Sequence, residues 1–382
     1  MSVICDGNKE SKTRKLILVY SFMKLTKIDL YIIKRFLGAF LLTLGLFTVI
    51  IIVFDLSEKI DNFIENSAPI GEVLTSYYLN WVPFLLNLFS PVFVFISVIF
   101  FTSKMAQKSE IVSILAAGVS YRRMLVPYLI SAFVLASFSF LLYAYVIPRA
   151  DKTRVKFENT YIRKGDNYTK SSIKRQIEPG LIMTVGNFNI VDSAGYKFSL
   201  EKVEDGEIKA KLYADRLNWN KERNTWNLNK YWVREFSEGK EILTRGEEMD
   251  TLIKFNPEDF FRKKDDVQMF NMKELDDMIA MEIMTGTGKT FFYKTEKLKR
   301  VTNPLSIIIL TIIGVTVASR KKRGGIGLNL GVGLLISFTY LLVMQFFNAY
   351  GSSGTMMPLL AVSIPNIIFG GVAFVMYKFA QK

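Results

Sequence analysis

Hydrophobic residues in this chain collect in six long blocks rather than in the short periodic stretches of a water-soluble core. Phe36–Phe54 is an uncharged run of 19 residues, enough as a helix rising about 1.5 Å per residue to cross a hydrocarbon layer of roughly 30 Å. Tyr78–Phe101 follows, interrupted by Pro83 and Pro91; membrane helices tolerate prolines, which kink them and free a carbonyl. Met124–Pro148 is the third block. The polar stretch 149–300 separates it from Val301–Ser319, Ile326–Tyr350 and Met356–Tyr377. The pattern predicts six transmembrane helices in a 3+3 arrangement around one inserted domain. Gly327, Gly331, Gly333, Gly370 and Gly371 fall in the last two blocks, where glycine permits close helix approach.

Charge gives the blocks an orientation. Lys24, Lys27, Lys34 and Arg35 precede the first, whereas Asp55, Glu58, Asp61, Glu65 and Glu72 follow it with only Lys59 against them. Lys104, Lys108, Arg122 and Arg123 lie between the second and third, Arg320-Lys321-Lys322-Arg323 after the fourth, and Lys378 and Lys382 at the end. By the positive-inside rule these segments and both termini are cytosolic, and 149–300 lies outside. The formal charge of +14 does not point to nucleic acid. Residues 149–300 hold 30 of the 49 Lys+Arg and 26 of the 35 Asp+Glu, so most of the excess flanks the apolar blocks. That is membrane orientation, not a groove for phosphates.

The short polar interruption at 104–123 carries a pattern of its own. Glu110 stands where a helix would begin and a carboxylate is favoured. Ile111, Ile114 and Leu115 form one apolar stripe at i, i+3, i+4. Gly118 suits the left-handed position that ends a helix, and Ser120 suits the cap of the next. The expectation is a small amphipathic helix that presses on another protein; the alternative is a solvated loop.

Residues 149–300 have the size of one domain. GLIMTVGNFNIV, GYKFSLEKVEDGEIKAKLYADRLNW and TWNLNKYWVREF alternate in strand fashion between Gly, Asn and Asp breaks. Strand upon strand without helical periods predicts an antiparallel sandwich or jelly roll. Trp219, Trp226 and Trp232 are expected to pack on a sheet face. Met272–Met284 has helical spacing, with Asn271 as its cap.

Catalytic chemistry is limited by inventory. The chain has one cysteine, Cys5, and no histidine, which excludes an internal disulfide, Ser-His-Asp and Cys-His catalysis, and His-ligated metal. Gly286-Thr287-Gly288-Lys289-Thr290 imitates the end of a phosphate-binding loop, but the required earlier glycine is Ile283, inside a predicted helix. It is read as a flexible turn, so no nucleotide, cofactor or metal is assigned to this chain. The span interiors lack the ionisable residues a secondary transporter needs. Residues 1–22 are polar and basic ahead of Met23, which opens MKLTKIDLYIIKRF; they are read as an upstream start-site artefact or a disordered tail.

Several segments together are specific. IDLYIIKRF enters the first span, WVPFLLNLFSPVF carries the prolines of the second, KSEIVSILAAGVSYRR is the interruption, and NPLSIII opens the fourth span at Asn303. With the outer β domain, they make residues 23–382 resemble the YjgP/YjgQ family, the LptF/LptG permease subunits of the lipopolysaccharide exporter, with the opening closer to LptG. The resemblance implies a bacterial inner-membrane permease, not an enzyme, whose periplasmic β-jellyroll passes lipopolysaccharide to LptC- and LptA-like proteins. It implies a second LptF/LptG-type subunit, and a dimer of an LptB-like ATPase that uses the ATP and docks on a cytosolic coupling helix. By position, Glu110 corresponds to the family's acidic coupling residue and Ala117, Gly118 and Ser120 to the turn after it, with Arg122 on the same segment. Because lipid A carries phosphates, Arg149, Lys152, Arg154 and Lys156 after the third span are expected to grip it, or else merely to anchor a solvated helix end. One departure is the acidic outer end of the first span, Asp55, Glu58 and Asp61. Two other readings stand beside this one: a permease of another lipid or lipoprotein ABC exporter, typically with four spans, and a membrane-anchored β-domain binding or sensor protein.

Overall fold

The computed structural model describes residues 26–162, 169–189, 192–237, 240–253, 264–285, 289–320 and 325–380. The N-terminal segment 1–22, Gly286–Gly288 of the Gly-Lys-Thr stretch and Lys321–Gly324 of the basic run lie outside these residues. In chain order the helices are α1 (Lys27–Glu65), α2 (Ile70–Gln107), α3 (Glu110–Ala116) and α4 (Tyr121–Tyr161). After the β domain come α5 (Met272–Thr285), α6 (Thr290–Ala318), α7 (Gly325–Ser353) and α8 (Pro358–Ala380). Among the described residues, six of these (all but α3 and α5) are long and apolar enough to cross a membrane.

The helices outrun the apolar blocks that announce them. α1 continues through the acidic stretch to Glu65, and α4 passes Pro148 to Tyr161. Pro148 is accommodated because a π-helical turn, Leu142–Val146, shifts the hydrogen-bond register just before it, where a missing N–H and a bulky ring cost least. A second π-turn, Val73–Tyr78, opens α2.

α2 and α6 form the buried centre. One apolar cluster joins Ile32 and Phe36 of α1, Val98 and Met105 of α2, Tyr128 of α4 and Ile307 of α6. A second joins Phe95 and Ile99 of α2, Leu310 of α6, Tyr340 of α7 and Phe369 of α8. Polar links stitch the helices where no water competes: Asn329 Nδ2 donates to Ser103 Oγ at 2.9 Å, and Tyr340 donates to Asn366 Oδ1 at 3.0 Å. Of the glycines expected at helix contacts, Gly333 is one: a Cβ there would lie 2.2 Å from Ile99 Cδ1. Gly327, Gly331, Gly370 and Gly371 face open space instead.

The inserted domain is one antiparallel sheet of six strands in chain order: β1 (Thr169–Glu178), β2 (Leu181–Asn189), β3 (Ala194–Glu204), β4 (Glu207–Asn220), β5 (Thr225–Ser237) and β6 (Lys240–Thr251). Asp205-Gly206, both at positive φ, make the tight β3–β4 turn. A crease crosses the whole sheet. Along it the pairing skips one residue in each strand, Ser172, Gly186, Lys197, Asp215, Lys230 and Glu247, and Lys197 and Lys230 are left-handed. The omission flips the in–out alternation, so Phe188 and Val185, and likewise Leu217 and Ala214, reach the same apolar core from opposite sides of the crease. Trp226 is buried there, edge-on to Trp219 at 4.8 Å, whereas Trp232 stacks on Tyr213 at 5.3 Å.

α5 starts as expected: Asn271 Oδ1 accepts from Glu274 N at 2.9 Å and Glu274 Oε2 accepts from Asn271 N at 2.8 Å, a reciprocal cap. The segment that leads into α5 is tied to α6 by Arg300, which donates to the carbonyls of Phe270 at 2.5 Å and Val267 at 3.1 Å.

Candidate functional site

The interruption between α2 and α4 folds into a capped helix on the basic side of the bundle. Ser109, in the left-handed conformation, breaks away from α2, and α3 then runs from Glu110 to Ala116. Gly118, at φ +85°, ends it. Gly118 N donates to Leu115 O at 3.0 Å and Val119 N to Ile114 O at 3.4 Å, the paired bonds of a Schellman stop, which a Cβ-free residue makes without strain. Ser120 Oγ accepts from Arg123 N at 3.3 Å and caps α4.

The apolar stripe divides in two. Ile111 and Ile114 turn inward and join the cluster that holds Met105, Ala106 and Met124. Leu115 stays 38% exposed and Val112, which the periodicity did not single out, is 60% exposed. Val112 and Leu115 therefore form an outward apolar pair one turn apart, beside the exposed Ala117 and Gly118.

Two contacts strap this elbow to α1. Glu110 Oε2 accepts from the Tyr31 hydroxyl at 3.1 Å. Arg123 makes a two-pronged pair with Asp29, Nη1 to Oδ1 at 2.6 Å and Nη2 to Oδ2. Asp29 is 3% exposed and also takes Thr26 N at 2.7 Å and Thr26 Oγ1 at 2.9 Å. This buried carboxylate thus has four donors, as burial of a charge demands. Arg122, next to Arg123, points outward and is exposed.

At the opposite end of the bundle the four expected cations separate. Arg149, Lys152 and Lys156 lie on one exposed face of α4, as their i, i+3, i+7 spacing on a helix requires. Lys152 bridges to Glu274 of α5 at 2.7 Å. There burial pushes the Glu274 carboxyl up, but the Lys152 ammonium and the Asn271 N–H outweigh it and hold Glu274 below its ordinary range. Arg154 faces inward, 9% exposed, pairing with Asp151 at 2.6 Å and with Glu158. The acidic end of α1 is likewise partly internal. Asp55 is buried against Lys59 at 2.5 Å, and the Lys59 ammonium lies 4.9 Å from the centres of both the Tyr77 and Trp81 rings.

These features are those of a multi-pass membrane protein with an elbow tied to its first span and an inserted β domain. A protein of Aquifex aeolicus (strain VF5), described as an uncharacterized protein, is 22% identical over 308 residues, 77% of this chain and 82% of that protein. The family described as "Lipopolysaccharide export system permease LptF/LptG" matches residues 30–378, from the start of α1 to the end of α8. The match takes in the elbow, the β domain and every spanning helix at once, and on it this chain belongs to the LptF/LptG family of lipopolysaccharide export permeases.

Proposed function

We propose that the chain is one permease subunit of an ABC exporter in the bacterial inner membrane. It pairs with a second LptF/LptG-type subunit and extracts lipopolysaccharide. A separate LptB-like ATPase dimer drives the extraction, and the β domain hands the lipid to LptC- and LptA-like proteins in the periplasm. Lys104, Lys108, Arg122 and Arg320 then face the cytosol, as the basic ends of spans do. The observation that carries the reading is the elbow: an apolar pair, Val112 and Leu115, faces outward from a helix that Glu110 bonds to α1, and Arg123, at the start of α4, ties the other end of the elbow to the same span. A protein pressing on that pair moves the first span with it. The middle of α1 supports the pairing with a second subunit, because Leu42, Leu46, Val49, Val53 and Phe54 are exposed along it, a face for lipid or another apolar helix.

In this mechanism the ATPase dimer closes, the elbows approach and the cavity between the two permeases narrows, forcing lipid toward the β domains. The motor does this only by binding the two arrangements with different affinity. On this reading Arg149 and Lys156, and Lys152 when it leaves Glu274, meet lipid phosphates, whereas Arg154 serves the internal network of α4.

Val112→Asp tests the reading, because Val112 has little internal packing to lose. The variant should insert and fold normally yet lose the co-purifying ATPase, and Glu110→Ala should lower lipid-stimulated ATP hydrolysis. Normal ATPase recovery and normal stimulation in both variants would remove the elbow from the coupling path.

A further inference from the structure

We propose that the groove between the first turns of α1 and the last turns of α2 binds an anionic phospholipid of the inner leaflet, gripping its phosphate with Lys34, Arg35 and Lys104. The groove has a volume of about 560 Å³. Its walls are apolar where they enter the bilayer, with Leu42 on α1 and Phe100 and Phe101 on α2, and its rim carries the three cations. From Tyr31 to Leu42 it follows α1 for about 16 Å at 1.5 Å per residue, the reach of an acyl chain lying along a helix below its headgroup.

The cations are available to a ligand. Lys34, Arg35 and Lys104 are exposed, and among the described residues neither lysine enters an ion pair. Arg35 rests over the Tyr31 ring, 5.6 Å from its centre. Glu110 also meets Tyr31, accepting from its hydroxyl at 3.1 Å. A basic rim above an apolar groove between helices suits a lipid headgroup better than a soluble anion, which leaves the walls uncovered. On the orientation proposed above, this lipid is in the leaflet opposite the exported cargo. Tyr31 lines the groove and also holds Glu110, so the bound lipid shares a side chain with the elbow and tunes how firmly the elbow is strapped.

The inference takes its leaflet from the proposed function, and the test keeps the two apart. The complex is purified and placed in nanodiscs of phosphatidylcholine with or without phosphatidylglycerol; retained lipid is counted by native mass spectrometry and ATP hydrolysis is followed. The protein should retain phosphatidylglycerol over phosphatidylcholine, less so as salt rises. Each of K34Q, R35Q and K104Q should weaken retention about fivefold and the triple variant roughly a hundredfold, while R320Q/K378Q, which removes two exposed charges at the basic ends of α6 and α8, should not. Equal retention by the groove and control variants overturns the site. Loss of the ATPase from the triple variant in lipid-free detergent overturns it in favour of an acidic protein surface. If no ATPase accompanies even the unaltered protein, the proposed coupling fails, while the retention comparison still decides the lipid site. The single variants keep the test decisive if the triple variant misassembles.

Discussion

Arg123→Met isolates the strap between the elbow and α1. Methionine keeps much of the apolar stem but removes both guanidinium bonds, leaving the buried Asp29 carboxylate with only the two donors of Thr26. Breaking a buried ion pair from one side costs about 3–5 kcal/mol. The Arg123 side chain is 18% exposed, and water reaching the orphaned site brings the expected cost to the low end, about 3 kcal/mol, on the order of a hundredfold in the opening equilibrium. Asp29→Asn should cost less, about 1 kcal/mol, because the amide oxygen still accepts from Arg123. The double variant leaves no charge stranded and should recover about 2 kcal/mol of the Arg123→Met loss, a coupling of the size found between contacting residues. The assay is cleavage at Lys108 by a lysine-specific protease in detergent. Its rate follows the open population when opening and closing are fast. Cleavage should accelerate by roughly two orders of magnitude in Arg123→Met and fall back in the double variant. If all three variants cleave within about twofold of the unaltered protein, the pair does not hold the elbow and the lever argument loses its mechanical link.

Gly118→Ala meets no atom within 4 Å but keeps φ at +85°, so it should cost about 1 kcal/mol of elbow stability from the backbone alone, and Gly118→Val more; the same protease assay reads both. Gly333→Ala drives a methyl to 2.2 Å from Ile99 Cδ1 and should lower detergent stability by about 1–3 kcal/mol; Ile99→Val, which removes that atom, should restore most of it in a thermal melt. Because Glu274 is held below its ordinary range, its contribution to docking α5 is present above the unfolded carboxylate pKa and is lost as pH falls through the lower folded value. Hydrogen exchange at the start of α5 should rise in acid, and Lys152→Ala should move that rise toward higher pH.

Much of the plan was legible because its signals are local. A span needs about twenty apolar residues in a row, and all six blocks became helices. The stop at Gly118, the cap at Ser120 and the reciprocal cap at Asn271 each involve residues within a few positions of one another. β1 and β6 were missed because TKSSIKRQIE and KEILTRGEEMDT offer little apolar alternation, as sheet edges commonly do. The span Met124–Pro148 does not tell how far α4 runs beyond it, to Tyr161, because Pro usually marks a helix boundary and the π-turn that admits Pro148 has no sequence signature. Arg154 carried a usable clue. Asp151 and Glu158 flank it at i−3 and i+4, the spacing of ion pairs on one helix face, while Arg149, Lys152 and Lys156 share another.

What no local pattern contained is the pairing of Asp29 with Arg123 across 94 positions, or of Tyr31 with Glu110 across 79. In the sequence, Arg123 counted only toward orientation. Packing gives it its second task. Ile32 and Phe36 seat α1 in the same cluster as Ile111 and Met124, which brings Asp29 and Tyr31, on the first turns of α1, against the elbow. At its far end α1 is fixed again, by Asp55 and Lys59 against Tyr77 and by Phe63 edge-on to Tyr77 at 5.8 Å. Between these ends one face of the helix rests on α2, with Phe47 4.9 Å from Phe93, and the other is bare. A helix held at both ends and open along one side passes on a displacement rather than absorbing it. In the proposed mechanism this is why an external ATPase needs to touch only a seven-residue helix, α3. It is also why the polar residues worth testing first, Asp29, Tyr31, Glu110 and Arg123, all lie at the junction and none in the span interiors.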